Sequence, residues 1–150
     1  MEKMELASIL MGKLLNIGGM LQKTGNQLLL PYGLNQQQFS ILFSIGQEDR
    51  VKQKSMVNKL VLEKAHVSKV VKKLHKMNLI NIEASSTDKR SSWLSITTEG
   101  KELVNECRKA ISSWNQDWIS ELSQEQFHSL LDNLTVVQNV FKDKIKQSEE

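Results

Sequence analysis

The chain has a single cysteine, Cys107, among 150 residues, so no disulfide can form within it and no Cys-rich zinc site can be built. That usage fits a reducing compartment. Its three histidines, His66, His75 and His128, are too far apart in sequence to suggest a metal site. There is no Gly-rich phosphate loop, no H-E-x-x-H motif and no Ser/His/Asp constellation, so neither enzymatic activity nor a cofactor is expected. No uninterrupted run of about 18 apolar residues occurs, and no membrane-spanning segment is expected. The opening Met1-Glu2-Lys3-Met4-Glu5 carries acid where a signal peptide needs a basic stretch, and Lys13 interrupts the apolar stretch after it, so a cytoplasmic location is expected. The one proline, Pro31, falls where a helical pattern stops.

What is present is the composition of an ordinary globular domain. Apolar residues make up 39% and charged residues 25%, enough to bury one core. Charge is unevenly placed. From 50 to 76, Arg50, Lys52, Lys54, Lys59, Lys64, Lys69, Lys72, Lys73 and Lys76 stand against Glu63 alone, a local balance of +8 in a chain whose total is +3. A concentrated basic block of this kind is the electrostatic footprint of a nucleic-acid reader, although a solvated lysine face has the same composition.

Apolar residues at Leu6, Ile9, Leu10, Leu14, Ile17, Leu21 and Leu28 follow the three-and-four spacing of an amphipathic helix over 4–30, with a bend allowed at Gly18-Gly19. Asn35 is placed to cap a second helix that buries Phe39, Leu42, Phe43 and Ile45 and stops near Gly46. A charged loop is expected over 47–52. A short helix near 54–60 and a longer one near 63–77, joined at Val61-Leu62, have helix-turn-helix spacing. Alternation then places Ile80 and Ile82 opposite Leu94 and Ile96 on two strands joined by a polar turn over 85–90, a hairpin that comes directly after the helix-turn-helix as a wing. A helix from Thr98 to about Trp118 presents Leu103, Cys107, Ala110, Ile111, Trp114 and Trp118. Ser123 with Gln126 forms a capping box for a last helix with Phe127, Leu130, Leu131, Leu134, Val137 and Phe141 inside and a frayed tail over 142–150. The expected architecture is mainly α with a small β-hairpin wing. A winged lobe over about 34–97 lies between helices at about 4–30 and 98–145, whose uncovered apolar faces imply a homodimer.

In the helix near 63–77, Val67, Val70, Val71 and Leu74 share one stripe, while Ala65, Lys69, Lys72 and Lys76 point the opposite way and His66, Ser68 and Lys73 flank them. A helix of this width fits the major groove of B-DNA. Ala65 could pack on a thymine methyl, His66, Ser68 and Lys69 are candidates for base edges, and Lys72, Lys73 and Lys76 suit phosphates.

The stretch from Val57 to Gly100 resembles the MarR family of winged-helix regulators. Val57-Asn58-Lys59-Leu60 and Val67-Ser68-Lys69-Val70-Val71-Lys72-Lys73-Leu74 look like that family's two DNA-binding helices. Asp88-Lys89-Arg90, then Leu94, Ile96-Thr97 and Gly100, is similar to its D-(K/R)-R…L-x-(L/I)-T-x-x-G signature. Gly33-Leu34-Asn35 through Phe39 and Leu42 is similar to its G-L-T-x-x-Q-F-x-x-L stretch. Two departures stand out: Val61 occupies a turn where the family usually has glycine, and Ser85 to Thr87 lacks the family's proline and leading arginine.

The resemblance implies a homodimeric repressor on a pseudo-palindromic operator in double-stranded DNA. Arg90 would enter the minor groove, Asp88 would orient the wing and Lys89 would lie beside them. It also implies release by a small amphipathic or phenolic effector, for which Met20, Phe39, Phe43 and Trp114 are the candidate lining. The alternatives are a winged-helix module whose lysine face meets an acidic protein, and a redox-responsive regulator acting through Cys107. Against the second, Cys107 falls on the inner stripe of its helix, where a thiol is inert.

Overall fold

The computed structural model describes residues 1–87 and 91–149. The long amphipathic pattern at the start becomes α1 (Lys3–Leu29), which runs unbroken through Gly18-Gly19 and gives way at Pro31 to a single 3-10 turn, Leu30–Tyr32. Gly33 then takes a left-handed conformation, φ 73°, which redirects the chain into α2 (Gln36–Ile45). The start of α2 is secured twice. Asn35 and Gln38 form a reciprocal capping box, and Asn26 of α1 accepts a bond from the Gln36 amide at 2.8 Å.

Next come β1 (Val51–Lys52), α3 (Gln53–Leu60), α4 (Lys64–Lys76), β2 (Ile80–Ala84) and β3 (Ser92–Ile96). The expected hairpin forms with Ile80 opposite Ile96 and Ile82 opposite Leu94. It is not alone. The expected charged loop over 47–52 ends in a third strand, since Val51 pairs with Leu94 and Lys52 with Trp93, giving an antiparallel sheet of order β1-β3-β2. Val51 is buried and joins the core, which is why the strand forms despite its polar surroundings.

The chain divides into two compact units, Met1–Ile111 and Ser112–Glu150. The core of the first draws Leu29, Ile41, Ile45, Met56, Val67 and Leu74 from its helices and Ile80 and Leu94 from its sheet, all essentially excluded from solvent. α5 (Thr98–Ile119) buries Gly100, Val104 and Cys107, so Val104 belongs to its inner stripe, which the sequence pattern assigned to Leu103.

In the second unit Trp114, Trp118 and Phe127 stack in series at 5.9 and 5.8 Å between ring centroids. The Ser123–Gln126 box opens α6 (Gln124–Glu149), which stays helical over 142–149, the stretch expected to fray. The apolar face of α6 is not inside this chain. Leu130, Leu131, Leu134 and Phe141 are exposed, Phe127 and Val137 half-buried. Along α1, Leu6, Ile9, Leu10, Ile17 and Leu21 are likewise exposed. By length and composition the segment Lys3–Tyr32 is long and apolar enough to cross a bilayer, with a mean hydropathy of 1.3 over its most apolar window. Lys13 lies in its middle, and composition alone does not separate such a helix from one that packs on a protein partner.

Candidate nucleic-acid interface

The reading helix owes its orientation to one apolar stripe. Val67, Val70, Val71 and Leu74 of α4 are buried, and this forces Ala65, Lys69, Lys72 and Lys76 to solvent on the opposite side. Lys73 is also exposed, with Nζ 3.2 Å from Gln38 Oε1 at the start of α2. Ser68 and His66 are half-buried, and the Nε2 of His66 is buried without a partner among the described residues. The one ion pair among the described residues is Lys109–Glu106 on α5, so none of the α4 lysines is neutralised by a carboxylate there. Asp88, Lys89 and Arg90, the expected wing-tip contacts, lie outside the described residues.

Both ends of α4 are fixed by local backbone geometry. At its entrance Val61 caps α3 in a left-handed conformation, φ 53° and ψ 50°, and its amide bonds to Val57 O. This is the turn where the sequence places valine in the family's glycine position. At the exit Asn78, φ 60°, reverses the chain so that the Leu79 amide reaches Leu74 O at 3.0 Å. His75 Nδ1 lies 3.1 Å from Ile80 O, tying the end of α4 to β2. Thr97 then closes the lobe. Its hydroxyl donates to Asn78 O at 2.7 Å and accepts from the Gly100 amide at 3.0 Å. Two signature residues, Thr97 and Gly100, therefore hold the fold together.

A further basic group was missed as a cluster, because the outward-facing positions of a short strand carry no periodic signal. The guanidinium of Arg50 lies 4.2 Å from the centroid of Trp93 on β3, and Lys52 Nζ lies 5.0 Å from it. Both distances are within the range of cation–π attraction. The clue available in the sequence was the sole aromatic residue of the wing strands, Trp93, standing among cations.

Of the expected effector residues, Phe39 is buried in the core and stacks on Phe43 at 5.9 Å, while Met20 is 60% exposed on α1. Trp114 packs on Trp118. Phe43 also lines an open cleft of about 230 Å³ with Ile96 and Val104 as apolar walls and Lys101 and Arg108 as cations. Met20 and Phe39 do not line it. Cys107 is fully buried, and burial pushes its thiol from 9.0 up to about 11, with the neighbouring Glu106 charge adding to the rise and a backbone hydrogen bond opposing it. Among the described residues no group of three or more His, Cys, Asp or Glu side chains could hold a metal ion.

A helix-turn-helix with an exposed basic reading face and a three-stranded wing sheet defines a winged-helix DNA-binding regulator. The MarR family model matches residues 34–92. The regulator MgrA of Staphylococcus aureus, described as an HTH-type transcriptional regulator, is 30% identical over 105 residues, covering 66% of this chain and 71% of MgrA. Among solved structures, the transcriptional regulator BldR from Sulfolobus solfataricus superposes with a TM-score of 0.83 at 21% identity over 93% of this chain and 99% of BldR. The S. aureus MepR–DNA complex gives 0.76 at 22%, over 85% and 94%. The chain belongs to the MarR family, whose members are non-enzymatic DNA-binding transcription regulators.

Proposed function

We propose that this regulator acts as a cytoplasmic homodimeric repressor, residues 1–150 forming one MarR-type domain, and that it binds a pseudo-palindromic operator near its own gene. The observation that carries the reading is the division of α4 into a buried valine and leucine stripe and an unneutralised lysine face. Inserted in the major groove, Ala65, Ser68 and Lys69 address base edges, with His66 through its outer edge. Lys72, Lys73 and Lys76 address phosphates. Asp88, Lys89 and Arg90 are assigned to the wing tip, where a narrow minor groove concentrates negative potential and favours a guanidinium. The exposed apolar faces of α1 and of α6 support pairing with a second copy, which sets two reading helices about 34 Å apart.

Release follows from a small amphipathic effector that prefers a dimer whose reading helices are wrongly spaced. The cleft beside Phe43 supports such a ligand, and its two cations favour one with an acidic group. The fully buried, hard-to-ionise thiol of Cys107 argues against the redox alternative. The test is a fluorescence anisotropy titration on duplex DNA from upstream of the gene. Tight, salt-sensitive binding is expected, weakened at least tenfold by Arg90→Ala. Equal affinity of the two proteins rejects the wing assignment.

A further inference from the structure

The wing sheet carries a second cationic group, distinct from α4 and from the wing tip. Register places Lys52, Trp93 and Glu83 in one row across β1, β3 and β2, so their side chains leave the same face of the sheet. Val51 and Leu94, next along the strands, are buried on the other face. The row is one ladder step below the last pair, Ala84 opposite Ser92, or about 3.3 Å along the strand. Arg50, immediately before β1, lays its guanidinium over the same indole. Two cations thus lean on one aromatic ring beside the wing. Stacking restricts their motion, and neither is paired with a carboxylate among the described residues. Glu83, across the ring, is the acidic member of the row.

We propose that Arg50 and Lys52, held on Trp93, bind backbone phosphates of DNA flanking the half-site, extending the footprint beyond the reading helix and the wing tip. The inference rests on the DNA-binding reading. Charge complementarity and continuity with the wing select duplex DNA as the partner. Because phosphates carry no sequence, the pair adds affinity equally to operator and to mixed-sequence duplex.

The test measures binding against salt for wild type, Arg50→Gln/Lys52→Gln and a control of equal charge change far along the chain, Lys142→Gln/Lys144→Gln. A thermal melt verifies that each variant is folded. In the proposed dimer the double variant loses four phosphate contacts, two per protomer, which lowers the salt slope by about 3.6, so that between about 50 and 200 mM salt it loses roughly 150-fold less affinity than wild type. Arg50→Gln and Lys52→Gln singly each give about half the change in slope. A slope equal to wild type, or an equal drop in the control, overturns the proposal. A wild-type protein that shows no salt-sensitive binding overturns the DNA reading and this one with it.

Discussion

Replacing Val61 by glycine is expected to make this protein more stable, although it deletes a whole side chain. Val61 sits at φ 53° and ψ 50° between α3 and α4, a region in which an L-residue brings its Cβ too close to the following carbonyl, at about 1–2 kcal/mol. A β-branched side chain is among the least suited to it. The side chain is 60% exposed, so its removal gives up little buried surface. Against the relief stands the greater freedom of glycine in the unfolded chain, about 0.4–1 kcal/mol. The balance favours Val61→Gly by about 0.5–1 kcal/mol, a rise in Tm of roughly 1–4 °C for a chain of this size. Val61→Ala keeps a Cβ and so most of the strain, and should lie close to wild type. Urea denaturation followed by circular dichroism is the assay, at one fixed protein concentration because the midpoint of the proposed dimer depends on it. If the glycine variant is less stable than wild type, or no more stable than the alanine variant, the strain argument is wrong.

Three further outcomes are expected. Gly100→Ala places a Cβ against the Leu79 carbonyl oxygen, which cannot rotate away, and 2.7 Å from Ile96 Cγ1, so it should cost at least about 2 kcal/mol in the same assay. Gly46→Ala, where the nearest atom is the mobile Cδ1 of Ile96 at 3.1 Å, should cost clearly less. The Cys107 thiol titrates near 11 in the folded protein against 9.0 for an ordinary thiol. Its contribution is therefore complete below pH 9 and lost as the pH rises toward 11, because the unfolded chain ionises first. Cys107→Ala should flatten the decline of stability above pH 9, and a thiol reagent should label native wild type only as it unfolds. Leu10→Glu or Leu134→Glu, at apolar positions 42% and 44% exposed in the single chain, should shift the species seen by light scattering toward the monomer mass.

Much of the fold is legible because its signals are local and repeated. The stripe of α4, the Asn35 and Ser123 boxes and the alternation of the wing strands each restate one period or one capping rule several times, and the structure obeys them. What escapes notice is what a period cannot carry. β1 has two residues, too few to alternate, and exists because Val51 finds Leu94 across the sheet. The αL turn at Val61 runs against the residue's own preference and is set by the helices it joins. The outer leucines of α6 read as core by spacing, but spacing says only that a face is apolar, not which chain covers it. On the reading helix, pattern separates the buried valines from the exposed lysines. It does not reveal that the Nε2 of His66 turns inward or that Lys73 leans toward Gln38. Nor does it pair Arg50 and Lys52 through Trp93, since their meeting depends on register between distant strands.

The hydroxyl of Thr97 bonds both the carbonyl that ends the turn after α4 and the amide in the first turn of α5. Gly100 lies close enough to Leu79 to leave no room for a methyl group between them. The exit of the reading helix and the root of α5 are therefore one mechanical part with no slack. Any displacement of α4 has to carry the base of α5 with it. Softening that joint, for instance with Thr97→Val, would loosen α4 from the base of α5 while leaving every lysine of the reading face in place.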